Sequence, residues 1–278
     1  MSRLPHLTAM RYVQPLREGG SLPAVVEADD GNLWVVKFRG AGQGAKTLVA
    51  ELIAGLIARR LGLPTPDLSL VDVPPPFGRG ERDPEIQDLL RKSEGTNVGM
   101  RYLDGAFNFE ASAAGELIAS GLAARIIWLD AYLTNPDRTA RNPNLLIWNR
   151  QPWLIDHGAA LYAHHDWASV DEARTLTPFP LIRDHVLLGR ADDITTVDGE
   201  LAARLDERVL AELLDEIPDS LLTVPAPGET TVTAGGARAR YLAYLGKRVR
   251  DPRAFVAEAE KARVAARSAP PRRLEARR

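Results

Sequence analysis

The sequence predicts an α+β fold with two lobes, a small β-rich N-lobe followed by a larger helical C-lobe. Short Val-rich runs with turn residues between them occupy the first third of the 278-residue chain, and helical periodicity dominates the remainder. Asp104-Gly105 marks a turn between the two parts, and no internal repeat suggests a solenoid or a propeller. We therefore expect an N-lobe over 1–103, a C-lobe over 104–266 and a basic, disordered tail over 267–278.

Local patterns predict the elements of the N-lobe. Asp29-Asp30-Gly31 supplies the turn of a β-hairpin between Val-rich runs at Ala24–Ala28 and 33–38. A helix is predicted over 45–61, because Leu residues recur there at helical spacing and Gly62 stands at the C-cap. Strands over 68–73 and 98–103 enclose a polar insertion with a short helix at 84–91.

The C-lobe begins with a long helix predicted over 111–133. Its apolar residues are too dense for a surface helix, so we expect it to be central and buried. Two short strands, 145–148 and 153–155, then flank a turn. Helical patterns account for the rest of the chain, over 200–216, 237–248 and 252–266.

Composition narrows the class of protein. The chain has no cysteine, which excludes disulfides, Cys-based zinc sites and thiol nucleophiles and fits a reducing compartment. No segment reads as a signal peptide or a membrane span, so we expect a cytoplasmic protein without membrane contact. The formal net charge is −2, but 261–278 is strongly basic and the body is acidic. A frayed terminus is favoured over nucleic-acid binding there.

The strongest local signal lies on two loops of the C-lobe. Asn142 follows Asp137 by five residues, the interval found in the kinase catalytic loop H-R-D-x-x-x-x-N, and Asp156 opens a D-x-G motif after the strand pair. Phosphoryl transfer needs one carboxylate to accept the proton of the attacking hydroxyl, and an Asn and a second carboxylate to hold Mg²⁺ on the ATP phosphates. Asp137 is therefore the candidate catalytic base, and Asn142 and Asp156 are the candidate metal ligands.

Each motif alone also has a plainer interpretation. Asn-Pro-Asp is a common turn sequence, and Asp156 could simply end a strand; the two motifs at this spacing favour the catalytic interpretation. Arg138 and Arg141 could contact phosphate or face solvent. His164-His165 is interpreted as part of a surface loop, because adjacent residues diverge on any regular element.

Lys37 lies in a largely apolar strand, where a buried ammonium group needs a partner. A kinase strand of the V-A-I-K type uses such a lysine to hold ATP phosphates, and a Glu from the next helix fixes it. Glu51 fits that role. The alternatives are a lysine that extends from an edge strand and a solvated glutamate on a helix surface.

Two segments contain glycines that could approach phosphate groups. Gly19-Gly20-Ser21, ahead of the hairpin, is the better candidate for a phosphate-covering loop, although it lacks the G-x-G-x-x-G pattern. The 42–47 segment resembles a P-loop, but Ala45 stands where that motif requires Gly before Lys46, and we reject it.

Over about 24–165 the sequence resembles the HipA-like kinase family and, more distantly, the phosphatidylinositol kinases. The resemblance is carried by the Lys37 strand, the Glu51 helix and the segments 61–66, 98–103, 135–146 and 154–158. It implies a two-lobed protein-kinase-like fold with ATP between the lobes, the same roles for the residues named above, and an adenine-binding hinge. That hinge would comprise Met100, Arg101, Tyr102 and Leu103.

The expected activity is that of an ATP- and Mg²⁺-dependent kinase. It would transfer the γ-phosphate to a hydroxyl group, with protein Ser or Thr favoured over a small molecule as the acceptor. Two alternatives remain open: a pseudokinase-like nucleotide-binding scaffold and a small-molecule or lipid kinase. The acidic body argues against a third, a helical regulator that contacts nucleic acid through the basic tail.

Overall fold

The structure is a computed structural model, and it describes residues 3–16, 22–42, 44–75, 77–110, 115–224 and 232–268. It is a mixed α+β structure, with strands in the N-terminal half and helices toward the C-terminus, in agreement with the coarse prediction. The strands are β1 His6–Pro15, β2 Ala24–Ala28, β3 Leu33–Lys37, β4 Leu68–Val73, β5 Gly95–Arg101, β6 Phe107–Asn108, β7 Leu145–Trp148 and β8 Gln151–Leu154.

Strands β1 to β5 form a closed barrel in the order β1-β2-β3-β5-β4, and the parallel pairing of β1 with β4 closes it. The predicted β2–β3 hairpin is confirmed. Strand β1 was not predicted. Its pairing with β2 skips Met10 and Val13, and these two bulges interrupt the two-residue alternation by which a strand is recognised in a sequence.

The helices are α1 Gly44–Arg60, α2 Pro84–Lys92, α3 Ser120–Tyr132, α4 Glu172–Thr175, α5 Thr195–Ala203, α6 Glu207–Asp215, α7 Asp219–Leu222, α8 Ala234–Val249 and α9 Ala254–Ser268. Strands β6, β7 and β8 form a small sheet in that order. In the sequence, these strands follow the barrel and precede all the helices from α4 onward. Of the predicted tail, 267–268 form the end of α9, and the remainder lies outside the described residues.

Helix α1 is buried almost all round, from Leu48 to Ala58, because it packs against β5 on one side and α6 and α7 on the other. Gly55 permits the close approach of α1 to β4: a Cβ atom there would lie 2.6 Å from Leu68 Cδ1. The apolar core of the helical part therefore extends through α1 to the outer face of the barrel, while a separate core fills the barrel.

Helix α3 is the central, buried helix that the sequence predicts, but its start differs. It begins at Ser120 after a 3₁₀ turn at Gly115–Leu117, and 111–114 lie outside the described residues. The single helix predicted over 200–216 is in fact α5 and α6. Asp206 separates them, because its side chain accepts a hydrogen bond from Val209 N (2.8 Å) and caps the start of α6.

Arg248, on α8, is buried beside the end of α3, and no carboxylate among the described residues pairs with it. Its guanidinium donates to the carbonyl oxygens of Ala131 (2.9 Å) and Tyr132 (2.7 Å), at the negative end of the α3 dipole. It also donates to the carbonyls of Thr175 (2.7 Å) and Thr177 (3.1 Å). One side chain thus joins α8, the end of α3 and the segment after α4.

We predict that Arg248→Ala destabilises the protein by about 3 kcal/mol or more, because it leaves several buried carbonyl groups without donors. Arg248→Lys should lose less, since it keeps the charge but reaches fewer carbonyls. Urea unfolding followed by circular dichroism measures both. The control is Arg250→Ala, which removes an exposed pair with Glu207 (3.4 Å) and should change stability by less than about 0.5 kcal/mol. Equal losses in the two alanine variants would contradict the prediction.

Candidate active site

Asp130, near the end of α3, organises the loop that follows the helix. Asn135 Nδ2 donates to its Oδ1 (2.9 Å), while Arg138 Nε (2.6 Å) and His185 Nε2 (3.0 Å) donate to its Oδ2. All four side chains are buried. Burial raises the pKa of Asp130, but Arg138 and His185 together outweigh burial and hold that pKa well below its usual range. The carboxylate therefore stays charged and keeps three donors in place.

Arg138 is buried and its guanidinium contacts protein groups, so the solvent-facing interpretation considered from the sequence is wrong for it. Besides Asp130, it donates to the carbonyl oxygens of Asn144 and Ile155 (3.5 Å), and its Nη2 lies 3.3 Å from His157 Nδ1. One buried guanidinium thus connects α3 to both loops that carry the predicted motifs. Arg141, by contrast, is exposed.

Asp137 lies at the partly exposed edge of the first loop. Its Oδ2 accepts hydrogen bonds from Asn142 Nδ2 (2.8 Å) and Asn144 Nδ2 (3.1 Å), and its backbone N–H donates to Asn135 Oδ1 (3.1 Å). Both amide donors are on one oxygen, and no group in the described part of the chain donates to Oδ1 of Asp137, which leaves that oxygen available to another group. The structure therefore brings Asp137 and Asn142 together as the sequence predicts.

Lys37 links the barrel to the second loop. Its Nζ lies 2.6 Å from Glu51 Oε2 and 2.5 Å from Asp156 Oδ1. Lys37 and Glu51 are buried, whereas the Asp156 side chain is 46% exposed. The solvated alternatives for Lys37 and Glu51 are therefore wrong. Asp156 has a left-handed φ of +54°, which is uncommon for a residue other than glycine and turns the chain directly after β8.

The pKa shifts in this group follow from one buried ammonium between two carboxylates. Burial lowers the pKa of Lys37, but Glu51 and Asp156 outweigh it, and the pKa is raised. Burial raises the pKa of Asp156, and Lys37 overcomes this to lower it. The pKa of the fully buried Glu51 is raised by burial in spite of Lys37. Lys37 is therefore charged, and Asp156 is the more readily ionised of the two acids.

Gly158 allows the second loop to lie against α1. A Cβ atom at this position would lie 2.5 Å from Thr47 Cγ2, so any side chain would force Thr47 or the loop to shift. His157 is fully buried beside Arg138; burial, and then the guanidinium charge, lower the pKa of His157 to about 3. The ring is therefore neutral, and its Nδ1 accepts from Arg138.

A cleft of about 510 Å³ opens between the barrel and the small sheet. One end is polar, where Lys37, Glu51 and Asp156 line it. The walls are largely apolar and include Val35, Val98, Met100, Leu146 and Ile155. The predicted hinge residues Met100, Arg101, Tyr102 and Leu103 all line this cleft. The volume lies within the range of about 300–1,000 Å³ that is typical of small-molecule sites.

The structure bears differently on the two segments in which glycines could approach phosphate groups. Gly19, Gly20 and Ser21 lie outside the described residues, although Leu16 and Pro23 on either side of that segment line the cleft. Lys46 does not line the cleft, and its Nζ donates to the carbonyl oxygen of His164 (2.5 Å). This contact joins α1 to the segment after the second loop, so Lys46 has a structural role outside the cleft.

The histidine pair lies in a 3₁₀ helix, Tyr162–Ser169, in which His165 is exposed but His164 is not, so the surface-loop interpretation is wrong for His164. His164 is fully buried, and its Nδ1 lies 2.9 Å from the Tyr241 hydroxyl. Sequence reasoning also missed Asn144 and Asp130 as parts of the site. A single acid in the otherwise apolar part of α3 was a usable signal for Asp130, because a buried charge requires a partner. Asn144 stands two residues after Asn142, and only the fold distinguishes their contacts.

Comparison with known proteins identifies the family. The HipA-like kinase family matches residues 10–174, more than half of the chain, and the chain belongs to this family. The protein is thus a kinase, an enzyme that transfers phosphoryl groups. No curated protein matches the sequence.

A solved structure with a similar fold is that of the Helicobacter pylori proinflammatory kinase CtkA. The TM-score is 0.57, the sequence identity is 11%, and the alignment covers 94% of this chain and 98% of that one. At this identity the similarity concerns the fold alone. Within the described residues, no helix is long and apolar enough to cross a membrane.

We predict that Lys37→Ala weakens the binding of a non-hydrolysable ATP analogue with Mg²⁺ by about tenfold or more, because it removes a charged donor from the polar end of the cleft. Lys46→Ala should change this affinity by less than about twofold, since its ammonium donates to His164 O outside the cleft. Calorimetry measures both affinities, and thermal unfolding of each variant verifies its fold. Large losses of similar size in both variants would show that the wrong lysine was assigned.

Proposed function

We propose that the protein is an ATP-dependent protein kinase with a two-lobed protein-kinase-like fold, in which residues 1–103 form the N-lobe and 104–266 the C-lobe. Its acceptor would be the hydroxyl of a protein Ser or Thr. The observation that carries the proposal is the Lys37 ammonium, held between Glu51 and Asp156 at the polar end of an apolar cleft. Asp137 lies on the adjacent loop, which Arg138 connects to the Asp156 loop.

The cleft suits a nucleotide because its two ends differ in polarity. An adenine ring would pack between the apolar walls and face the backbone of the hinge, 100–103. The triphosphate would extend toward Lys37, whose ammonium would then contact phosphate oxygens in addition to its two carboxylate partners. Glu51 is buried on α1, so its carboxylate stays in place when the nucleotide binds and keeps the Lys37 ammonium in position.

Asp156 and Asn142 would hold Mg²⁺, and their chemistry fits this ion. The Asp156 carboxylate is accessible from the cleft, and Asn142 donates its amide N–H to Asp137, which leaves its carbonyl oxygen as a ligand. Mg²⁺ prefers oxygen ligands and commonly takes only one or two from the protein beside the substrate phosphates. Once bound, the ion would neutralise the charge on the β- and γ-phosphates.

Asp137 would act on the acceptor. Its Oδ1 accepts the proton of the acceptor hydroxyl while the hydroxyl oxygen bonds to the γ-phosphorus, and the bond to the β–γ bridging oxygen breaks to release ADP. Two amide donors on Oδ2 orient the carboxylate for this step. Little other covalent chemistry is required, because catalysis of phosphoryl transfer consists mainly of positioning and charge stabilisation.

Incubation of the purified protein with γ-labelled ATP and Mg²⁺, alone and with a cell lysate, tests the proposal. Label on the protein itself or on lysate proteins is the expected result. Label that enters only a small molecule or a lipid would contradict the protein acceptor while leaving the kinase chemistry. Binding of ATP without any transfer would instead favour a nucleotide-binding scaffold.

The two aspartates should differ in effect. Asp156→Ala should abolish the Mg²⁺-dependent part of nucleotide affinity as well as turnover, because it removes a metal ligand. Asp137→Asn should bind Mg²⁺-nucleotide normally, while transfer falls by about 10²-fold or more, because the amide cannot accept the hydroxyl proton. Calorimetry with an ATP analogue, with and without Mg²⁺, is combined with a transfer assay on each variant.

Asp184→Asn is a matched control for this pair, because Asp184 is an exposed acid whose 3.8 Å contact with Arg183 lies on the surface. It should leave both binding and transfer unchanged. Wild-type transfer by Asp137→Asn, or unchanged Mg²⁺-nucleotide binding by Asp156→Ala, would refute the assignment of the two loops.

A further inference from the structure

Asn144 occupies the junction between the two loops of the site. It is buried, with 7% of its surface exposed, and has a left-handed φ of +47°. Its Nδ2 lies 3.1 Å from Asp137 Oδ2 and 3.4 Å from the carbonyl oxygen of Asp156. Its own carbonyl oxygen accepts from Arg138 Nη1 and from Ile155 N (3.1 Å). Every polar group named here belongs to one of the two loops.

The two donors to Asp137 differ in their surroundings. Asn142 is exposed, so solvent competes for its amide, and its carbonyl oxygen is committed to the metal in the proposed function. Asn144 is buried and is held through Arg138, which is itself fixed by the buried carboxylate of Asp130. The rigid part of the molecule holds the backbone of Asp137 through Asn135 and its side-chain carboxylate through Asn144.

We infer that Asn144 is a positioning residue, which holds the Asp137 carboxylate in a fixed orientation relative to the Asp156 loop and so aims it at the acceptor hydroxyl. This inference rests on the proposed function, in which Asp137 accepts the proton. Without the Asn144 amide, the Asp137 carboxylate would keep only one side-chain donor among the described residues, the exposed Asn142, and it could rotate away from the productive geometry. Loss of such geometry slows chemistry without weakening the binding of the nucleotide.

Two variants remove the donor and keep the backbone conformation. Gly and Asp both tolerate a left-handed φ, so Asn144→Gly deletes the amide and Asn144→Asp replaces it with an acceptor that repels Asp137. We expect kcat for ADP release from Mg-ATP to fall by about tenfold or more in Asn144→Gly and further in Asn144→Asp. The affinity for the ATP analogue should stay within about twofold in Asn144→Gly.

Asn149 provides a matched control. It has a similar left-handed φ of +50°, is exposed in the turn between β7 and β8, and does not line the cleft. Asn149→Gly and Asn149→Asp make the same chemical changes at the same kind of backbone position. Both should leave kcat and nucleotide affinity unchanged, and thermal unfolding of all four variants separates loss of activity from loss of structure.

A double-mutant cycle with Asp137→Asn tests whether Asn144 acts through Asp137. In the Asp137→Asn background, Asn144→Gly should reduce kcat by less than about twofold, because the group that it orients is already gone. A full additional loss would overturn the inference, as would wild-type kcat in Asn144→Gly or a parallel loss of nucleotide affinity. Unfolding of both Asn144 variants would assign the residue a structural role and overturn it too.

The proposed function fails in a distinguishable way. If Asp137→Asn alone transfers phosphate at the wild-type rate, the role of Asp137 as base is refuted. If Asp137→Asn is impaired and Asn144→Gly is not, only the positioning role of Asn144 is refuted.

Discussion

The buried pair between Asp130 and Arg138 is the interaction on which the site depends. Removing two charges from water costs nearly as much as their attraction returns, so such a pair adds little net stability, yet breaking it costs about 3–5 kcal/mol. Here it selects one arrangement of two loops. Asp130 receives donors from the first loop, and Arg138 donates to carbonyls in both. The separation between Asp137 and Asp156 is therefore set by α3, a helix in which every residue from Ile126 to Tyr132 is buried.

The second constraint is the shared ammonium of Lys37, which joins the barrel, α1 and the Asp156 loop at a single point. Lys37 can contact both carboxylates because α1 packs into the core of the helical part, which places Glu51 next to Asp156. Gly158 makes this approach possible by leaving room for Thr47. The geometry of the cleft is thus fixed by packing on one side and by charge pairing on the other.

Local sequence patterns predicted much of the fold. They failed where single bulge or cap residues determine the local structure. The β2–β3 hairpin, α1 and the buried nature of α3 follow from turn chemistry and periodicity. β1 was missed because bulges at Met10 and Val13 break its alternation, and the break between α5 and α6 was missed although Asp206 is a capping residue. In both cases one or two residues override a pattern that spans many.

By itself, the sequence determined which residues could carry the chemistry. It contains the spacing of Asp137, Asn142 and Asp156, and it shows that Lys37 has apolar neighbours. Only the tertiary structure decided what orients them. The sequence alone indicates a phosphate contact or a solvent-facing charge for Arg138, and it does not distinguish Asn144 from its neighbours. The physical reason is that a side chain's partner depends on which distant backbone is folded beside it: the donors and acceptors around Asn144 come from residues up to 12 positions away, brought together by the packing of two loops on α3.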